Sequence, residues 1–528
     1  MSQVMTPGEG RVPSKSALVR RSWPRSAPAK ALAALGFAFP IALYLWVIRV
    51  YGVNAIFYDQ WTNIALLSHS HFFSQSYAGP MSLGHLWAQH NENRMLFPNL
   101  VVLVLGSATH LNIATELYVS AAMLVVATAL IVLSHRDSGR ATPWIFYCPV
   151  AVLMFSLAQI GNTLFGFQMA WYLIMLALAV TLYLLERRQL GWLLLCGAAV
   201  AAVVGSFSSF AGLIIWPAGL VVLVVRRSRG AFILAWIASA VATTGVYFYH
   251  FDAGSDVGYP LSHPESALKF FFLAVGDVLG NPLRAGASGG SIMYLGVVIV
   301  AIAASVVAIY GRRSREEERS STGLALICFG LLFAVSITVG RSKMGLSAAS
   351  QTRYVTFDLL ILVGCYLVLL DRWPFRRRSD PVASRPAASS RAVVIALAER
   401  PTIQTIASNW RGFVLLCLRA LLIGIILFQF LIGTPSGLNG ARSWRKQREL
   451  TNIVSVQISH APDWLIQSAL FPDGYVPGIR QLASDARVHR LGSFAGGETP
   501  YYARSPLPNS RCKPSLRAQR CLPHCCGP

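Results

Sequence analysis

The sequence predicts an all-α fold, a polytopic transmembrane helical bundle of about eleven spans with juxtamembrane helices on its outer face. Three observations predict it. Hydrophobic residues make up 54% of the 528 residues and charged residues only 13%, about half the charged share of an average soluble domain. The apolar residues fall into blocks of about 17–25, the length that crosses roughly 30 Å of hydrocarbon. The Lys and Arg residues sit mainly in short stretches beside those blocks, where they orient membrane helices.

The spans read, in order, 31–51, 113–134, 143–158, 167–186, 190–207, 209–225, 231–250, 291–310, 322–340, 353–370 and 412–433. Basic residues set their parity. Arg20, Arg21, Arg25 and Lys30 place the N-terminus in the cytoplasm. The stretch from Arg11 to Lys30 runs into a long apolar helix without a small-residue cleavage site, unlike a secretory signal. Arg136/Arg140, Arg187/Arg188, Arg226/Arg227/Arg229, Arg312/Arg313/Arg315/Arg319 and Arg372/Arg376/Arg377/Arg378 then share the cytoplasmic side. Glu316, Glu317 and Glu318 count little in that rule. The expectation is an integral protein of the bacterial inner (plasma) membrane.

Two apolar stretches, 95–109 and 267–281, break the alternation if counted as spans. Both are short and adjoin polar residues, Pro or Gly, so they read as interfacial or re-entrant helices on the outer face. Trp46, Trp144, Trp171, Trp192 and Trp216 near span ends fit interfacial belts. The domains follow. A basic cytoplasmic segment covers 1–30. The transmembrane core covers 31–370, with outer loops 52–112 and 251–290. A cytoplasmic linker rich in Arg, Ser, Pro and Ala covers 371–411. The last span, 412–433, precedes an outer tail, 434–528. Within that tail 444–490 suits a small helical cap, and the part beyond about 495 reads as disordered. No internal repeat stands out, which weakens an inverted-repeat transporter.

The net charge of +23 does not indicate nucleic acid, which calls for a basic face on a folded soluble domain. Membrane lipids are the expected surroundings. Cys148, Cys196, Cys328, Cys365 and Cys417 lie in apolar blocks and read as small core residues. Cys512, Cys521, Cys525 and Cys526 near His524 lack the paired spacing of a metal knuckle. The chain has no P-loop, dinucleotide fingerprint, GxSxG elbow or HExxH.

Ionisable residues near hydrocarbon are costly and mark sites. They concentrate on the outer side. YGVNAIFYDQW places Asp59 just beyond the first span. WAQHNENRMLFP gathers His90, Asn91, Glu92, Asn93 and Arg94 before a short apolar helix. On a helix, His90 and Arg94 would share a face and Glu92 would point elsewhere. The loops QIGNTLFGFQ and GSFSSFAG add Asn162, Gln168 and serines, and the second large loop adds Asp252, Asp256, His263 and Glu265. The loop GRSKMGLSAASQTRY puts Arg341, Lys343 and Arg353, followed by Tyr354, on the side where positive charge is disfavoured. A phosphate or pyrophosphate suits such arginines through bidentate pairing. Pairing with Asp358, Asp252 or lipid headgroups is the alternative. Asp59 fits a general base or a divalent-metal ligand, or the cap of a helix starting near Trp61. Glu92 fits a second catalytic acid or a local ion pair with Arg94. No set of His, Cys or carboxylates has metal-cage spacing, so the cofactor stays open, a divalent cation included.

This layout resembles the GT-C superfamily of integral-membrane glycosyltransferases, over roughly residues 30–435. The resemblance rests on Asp59 opening a long first outer loop, on the HNENRMLFPNL segment closing it, on the span count, and on Arg341 and Arg353 in a late outer loop. GNTLFGFQ, FSSFAGLIIWPAGL and SQTRYVTFDLL are also similar to polytopic bacterial membrane proteins of this layout. Members of the superfamily often carry two acids in or near the first loop. Here Gln60 follows Asp59, and Glu92 is the remaining candidate. The His-Pro-Pro-rich segment of some relatives is replaced by HNENR.

The resemblance implies a transferase that moves a sugar from a polyprenyl-phosphate donor to an envelope glycan or lipid acceptor on the non-cytoplasmic face. Asp59 would take the acceptor's proton, with Glu92 as second acid. Arg341 and Arg353, with Lys343, His90, Arg94 and Tyr354, would hold the phosphate. Two alternatives remain: a transporter or flippase of a lipid-linked glycan, and a non-catalytic partner in envelope assembly.

Overall fold

The computed structural model describes residues 27–72, 75–137, 142–252, 257–280, 289–311, 320–372, 403–471 and 477–495. The basic N-terminal segment before 27, Asp256, the arginines of 312–319, the linker 373–402 and the cysteine-containing end lie outside the described residues.

Nearly all described structure is helical. The longest apolar helices are α1 (Ala27–Tyr51), α5 (Ile113–Asp137), α8 (Met169–Leu185), α11 (Gly230–Phe248), α14 (Gly289–Gly311), α15 (Thr322–Arg341) and α17 (Ile403–Val456). Between α5 and α8 lie α6 (Cys148–Met154) and α7 (Ile160–Thr163), joined by 3-10 turns. Among the described residues, eight helical stretches are long and apolar enough to cross a membrane, the broken stretch Trp144–Thr163 included. Three further predicted spans also form helices: α9 (Trp192–Ser206), α10 (Ile215–Val225, extended by the 3-10 turn from Phe210) and α16 (Val355–Leu370). They are shorter, and α16 at 16 residues spans about 24 Å.

The 95–109 stretch forms α4 (Leu96–Thr109), which stops where His110 turns left-handed. The second short stretch forms α13 (Pro264–Gly276). It follows the turn α12 (Tyr259–Ser262) and packs closely along α14. A Cβ on Gly276 would meet the Ile292 carbonyl oxygen at 2.0 Å, and one on Gly296 would meet that of Phe272 at 1.9 Å. Two glycines thus let the backbones touch.

Two of the five predicted belt tryptophans depart from that expectation. Trp216 is 3% exposed; its ring packs tilted against Trp236 at 4.6 Å and it donates to Ser206. Trp171 lines a cavity. Trp46, Trp144 and Trp192 are exposed among apolar neighbours, as a belt requires. Of the cysteines, Cys365 is buried, whereas Cys196 and Cys417 face outward.

The helix directions define two ends. The end reached by Tyr51, Ile113, Met169, Arg341 and Val355 also carries the two large loops. The first loop contains α2 (Trp61–Leu67), α3 (Leu83–Trp87) and two short hairpins, β1–β2 (His71–Phe72, Gln75–Ser76) and β3–β4 (Gln89–His90, Asn93–Arg94). The helix α17 runs 54 residues, about 80 Å, so it continues past the membrane thickness. It is followed by α18 (Asp463–Leu470) and α19 (Ile479–Val488) at the same end.

Candidate functional site

Asp59 lies in a tight turn between α1 and α2. Tyr58 has φ +49, an uncommon left-handed value for an aromatic residue. Gln60 then ties the turn down: its Oε1 accepts from Phe57 N at 3.3 Å and its Nε2 reaches Glu116 Oε2 at 3.5 Å. The position that caps α2 is Gln60, without a side-chain cap. Among the described residues no backbone N–H donates to the Asp59 carboxylate, which is thus free of the capping role. Its Oδ1 lies 3.4 Å from His90 Nε2, a contact without hydrogen-bond geometry.

The HNENR segment is a hairpin, not a helix. His90 pairs with Asn93 across a turn in which Asn91 has φ +50. His90 and Arg94 therefore share no helical face. Arg94 is 5% exposed and its guanidinium donates to the Trp87, Tyr249 and His250 carbonyls at 3.2, 2.9 and 2.8 Å. Tyr247 adds a hydroxyl to the Glu92 carbonyl at 2.8 Å. Asn93 Oδ1 accepts from Ser209 Oγ at 2.7 Å and Phe210 N at 3.0 Å. The hairpin is thus bolted to α11 and to the turn before α10. Arg94 serves that anchorage and does not line the cavity.

Glu92 projects from the hairpin tip to Arg341, with Oε2 and Nη2 2.9 Å apart. The expected local pair of Glu92 with Arg94 is therefore replaced by one with the end of α15. Arg353 behaves differently. Its backbone carbonyl accepts from Asn162 Nδ2 at 2.7 Å, and its guanidinium sits 5.3 Å from the Tyr354 ring. Its Nε has no hydrogen-bond partner, and no carboxylate pairs with it among the described residues. Neither Asp358 nor Asp252 fills that place. Asp358 is wholly buried in α16, and Asp252 is joined through its backbone to Gln89. Lys343 is exposed and off the cavity.

These groups surround one cavity of about 460 Å³, inside the usual range for small-ligand sites. Asp59, His90, Glu92, Arg341, Arg353 and Tyr354 all line it. Trp171, Phe333, Ile337, Phe248 and Phe251 supply apolar wall. Asn162 stands behind the site, where it orders Arg353 and Thr356. His263 and Glu265 lie elsewhere, Glu265 pairing with Lys269 on α13.

Sequence reasoning missed the aromatic wall, because Phe and Trp within apolar blocks carry no mark of facing a cavity. It also missed Glu116, which is 2% exposed. A Cβ on Gly166 would meet its Oε2 at 2.1 Å, so the carboxyl lies beneath the 166–168 turn whose Phe167 and Gln168 line the cavity. An acid in the first turn of an apolar helix was the available signal. Among the described residues, no group of three or more His, Cys, Asp or Glu is placed to hold a metal ion. No family model, curated protein or solved structure matches the chain.

Proposed function

We propose that this chain is a membrane glycosyltransferase of the GT-C type. It would move a sugar from a polyprenyl-phosphate donor to an envelope glycan or lipid acceptor on the non-cytoplasmic face. The observation that carries the reading is the cavity itself. Two acids, one histidine, an arginine paired with one of those acids and an arginine with no acid partner among the described residues line an apolar, aromatic-walled space. That combination suits an amphiphile with a single anionic junction.

In this reading the acceptor hydroxyl attacks the anomeric carbon. Asp59 takes the hydroxyl proton, with His90 beside its carboxylate. The bond from the anomeric carbon to the phosphate oxygen breaks, and its electron pair leaves with the phosphate. Arg353 neutralises that charge as it develops. Arg341 adds a second cation, held in position by Glu92. Because Glu92 is engaged by Arg341, Asp59 is the base. If a divalent cation takes part, Asp59 and Glu92 are the lining carboxylates that would meet it. The prenyl chain would lie along the apolar wall.

The reading includes eleven crossings, the eight long stretches plus α9, α10 and α16, with the basic N-terminus in the cytoplasm of a bacterial inner membrane. Mass analysis of envelope glycans tests it, in a deletion strain and in the same strain restored with wild type or Asp59→Asn. A sugar lost on deletion and regained only with the wild type supports transfer. Full restoration by Asp59→Asn removes Asp59 from the chemistry and returns transport or scaffolding to the front.

A further inference from the structure

The long helix α17 reaches back to the turn that carries Asp59. Arg448 on α17 is 3% exposed, and no carboxylate pairs with it among the described residues. Its guanidinium carbon lies 3.2 Å from the centre of the Phe57 ring, 4.1 Å from Trp444 and 5.8 Å from Phe165. The three rings also pack on each other, at 5.9 to 6.4 Å. Trp444 fixes the third side by donating Nε1 to the Leu164 carbonyl at 3.1 Å.

Burying a guanidinium without an acid is costly, and an apolar side chain would fill such a cage more cheaply. Ring faces offset part of that cost. What the cation adds over an apolar filler is attraction to particular ring faces, so it fixes where those rings sit. Phe57 is two residues before Asp59. Around it, the rest of the C-terminal segment grips the same loop. Phe471 packs near Tyr58 at 6.4 Å. Asp485 accepts from Ser70 Oγ at 2.7 Å. Gly492 N donates to the His110 carbonyl at 2.7 Å, and Ser493 Oγ to that of Asn54 at 3.3 Å.

We propose that Arg448 is a positioning residue, and that α17 with the segment following it braces the Phe57–Gln60 turn so that Asp59 faces the cavity. Arg448 touches no cavity atom and acts through Phe57. This rests on the proposed role of Asp59, and the test separates the two.

The test uses the full chain, purified in detergent, and the restored deletion strain. Hydrogen exchange is followed by mass spectrometry in wild type, Arg448→Ala and Arg442→Ala. Arg442 is an exposed neighbour that bonds Asn439. Arg448→Ala is expected to speed exchange over 55–62 by about tenfold or more, while α8 and α15 stay as in the wild type. It is also expected to restore no more glycan than Asp59→Asn. Arg442→Ala is expected to match the wild type in both. Unchanged exchange over 55–62 overturns the brace, and so does faster exchange throughout the molecule. Local loosening with full glycan restoration overturns positioning. If Arg448→Ala does not fold, Arg448→Met keeps the volume, removes the charge and carries the same two readouts. If deletion alters no glycan, the transferase reading fails, and the exchange data still decide the brace.

Discussion

The bundle has a cluster of buried polar groups at each end, and they are built on opposite terms. At the end away from Asp59, Glu186 Oε1 accepts from Ser321 N at 2.6 Å, Ser321 Oγ at 2.5 Å and Ser320 Oγ at 3.2 Å. Arg226 Nε lies 4.0 Å from its other oxygen. Close by in the same layer, His135 bonds the Tyr147 hydroxyl at 3.0 Å and the Leu367 carbonyl at 3.1 Å, beside Asp371 at 3.3 Å. Glu186 there is surrounded by protein donors, and Asp371 faces His135. At the Asp59 end the same residue types face a cavity, and Arg353 has no acid partner among the described residues. Polarity alone therefore does not mark a site. Unspent bonding capacity next to open space does.

That contrast can be broken by substitution. The largest effect is expected from Asp59→Asn, a fall in transfer rate of about 10²–10⁴, with stability within about 0.5 kcal/mol of the wild type. Rate and thermal unfolding, measured on one preparation, check both halves. Arg353→Gln is expected to slow transfer by about 10²-fold and to leave folding untouched. A large loss of stability there would mean that the arginine has a structural partner. Glu186→Ala should do the reverse, costing about 3 kcal/mol through stranded hydroxyls and the Arg226 charge. Its activity per folded molecule should match the wild type, and any change in that figure would erase the division between the ends. The smallest effect belongs to Arg341→Gln in thermal unfolding. The Glu92–Arg341 pair is about a quarter exposed on each side, so its loss should cost about 1 kcal/mol or less.

Much of this was legible in the residues. Apolar blocks located the helices, since lipid leaves the backbone few alternatives. The shortness of α9, α10 and α16 was harder to read, because hydropathy blurs where a helix gives way to a turn such as Phe207–Ser209. The cavity lining was legible only in part as a list, since Arg94 and Lys343 fall outside it, and not as a geometry. Asp59, His90, Glu92, Arg341 and Arg353 were nameable because ionisable groups near hydrocarbon are rare, and Tyr354 as the neighbour of Arg353. Nothing local announced that Glu92 would choose Arg341 over its neighbour Arg94. That choice depends on a hairpin in which Asn91 reverses the chain, and on the carbonyls of Trp87 and of Tyr249 and His250 just past α11, which claim Arg94 first. The role of Arg448 was equally hidden, since an arginine in the basic run RSWRKQR reads as solvated. Its burial depends on aromatic rings contributed by two distant loops.

The reach of α17 has a consequence for biogenesis. The Asp59 turn leaves the ribosome early, whereas Trp444 and Arg448 come several hundred residues later. At roughly 5–20 residues per second, tens of seconds of synthesis separate the two. During that interval the first loop is exposed without its C-terminal support. On the proposed brace, the Asp59 turn of a nascent chain stays unsupported until α17 is inserted, and truncation before residue 441 would yield an inserted protein with that turn loose.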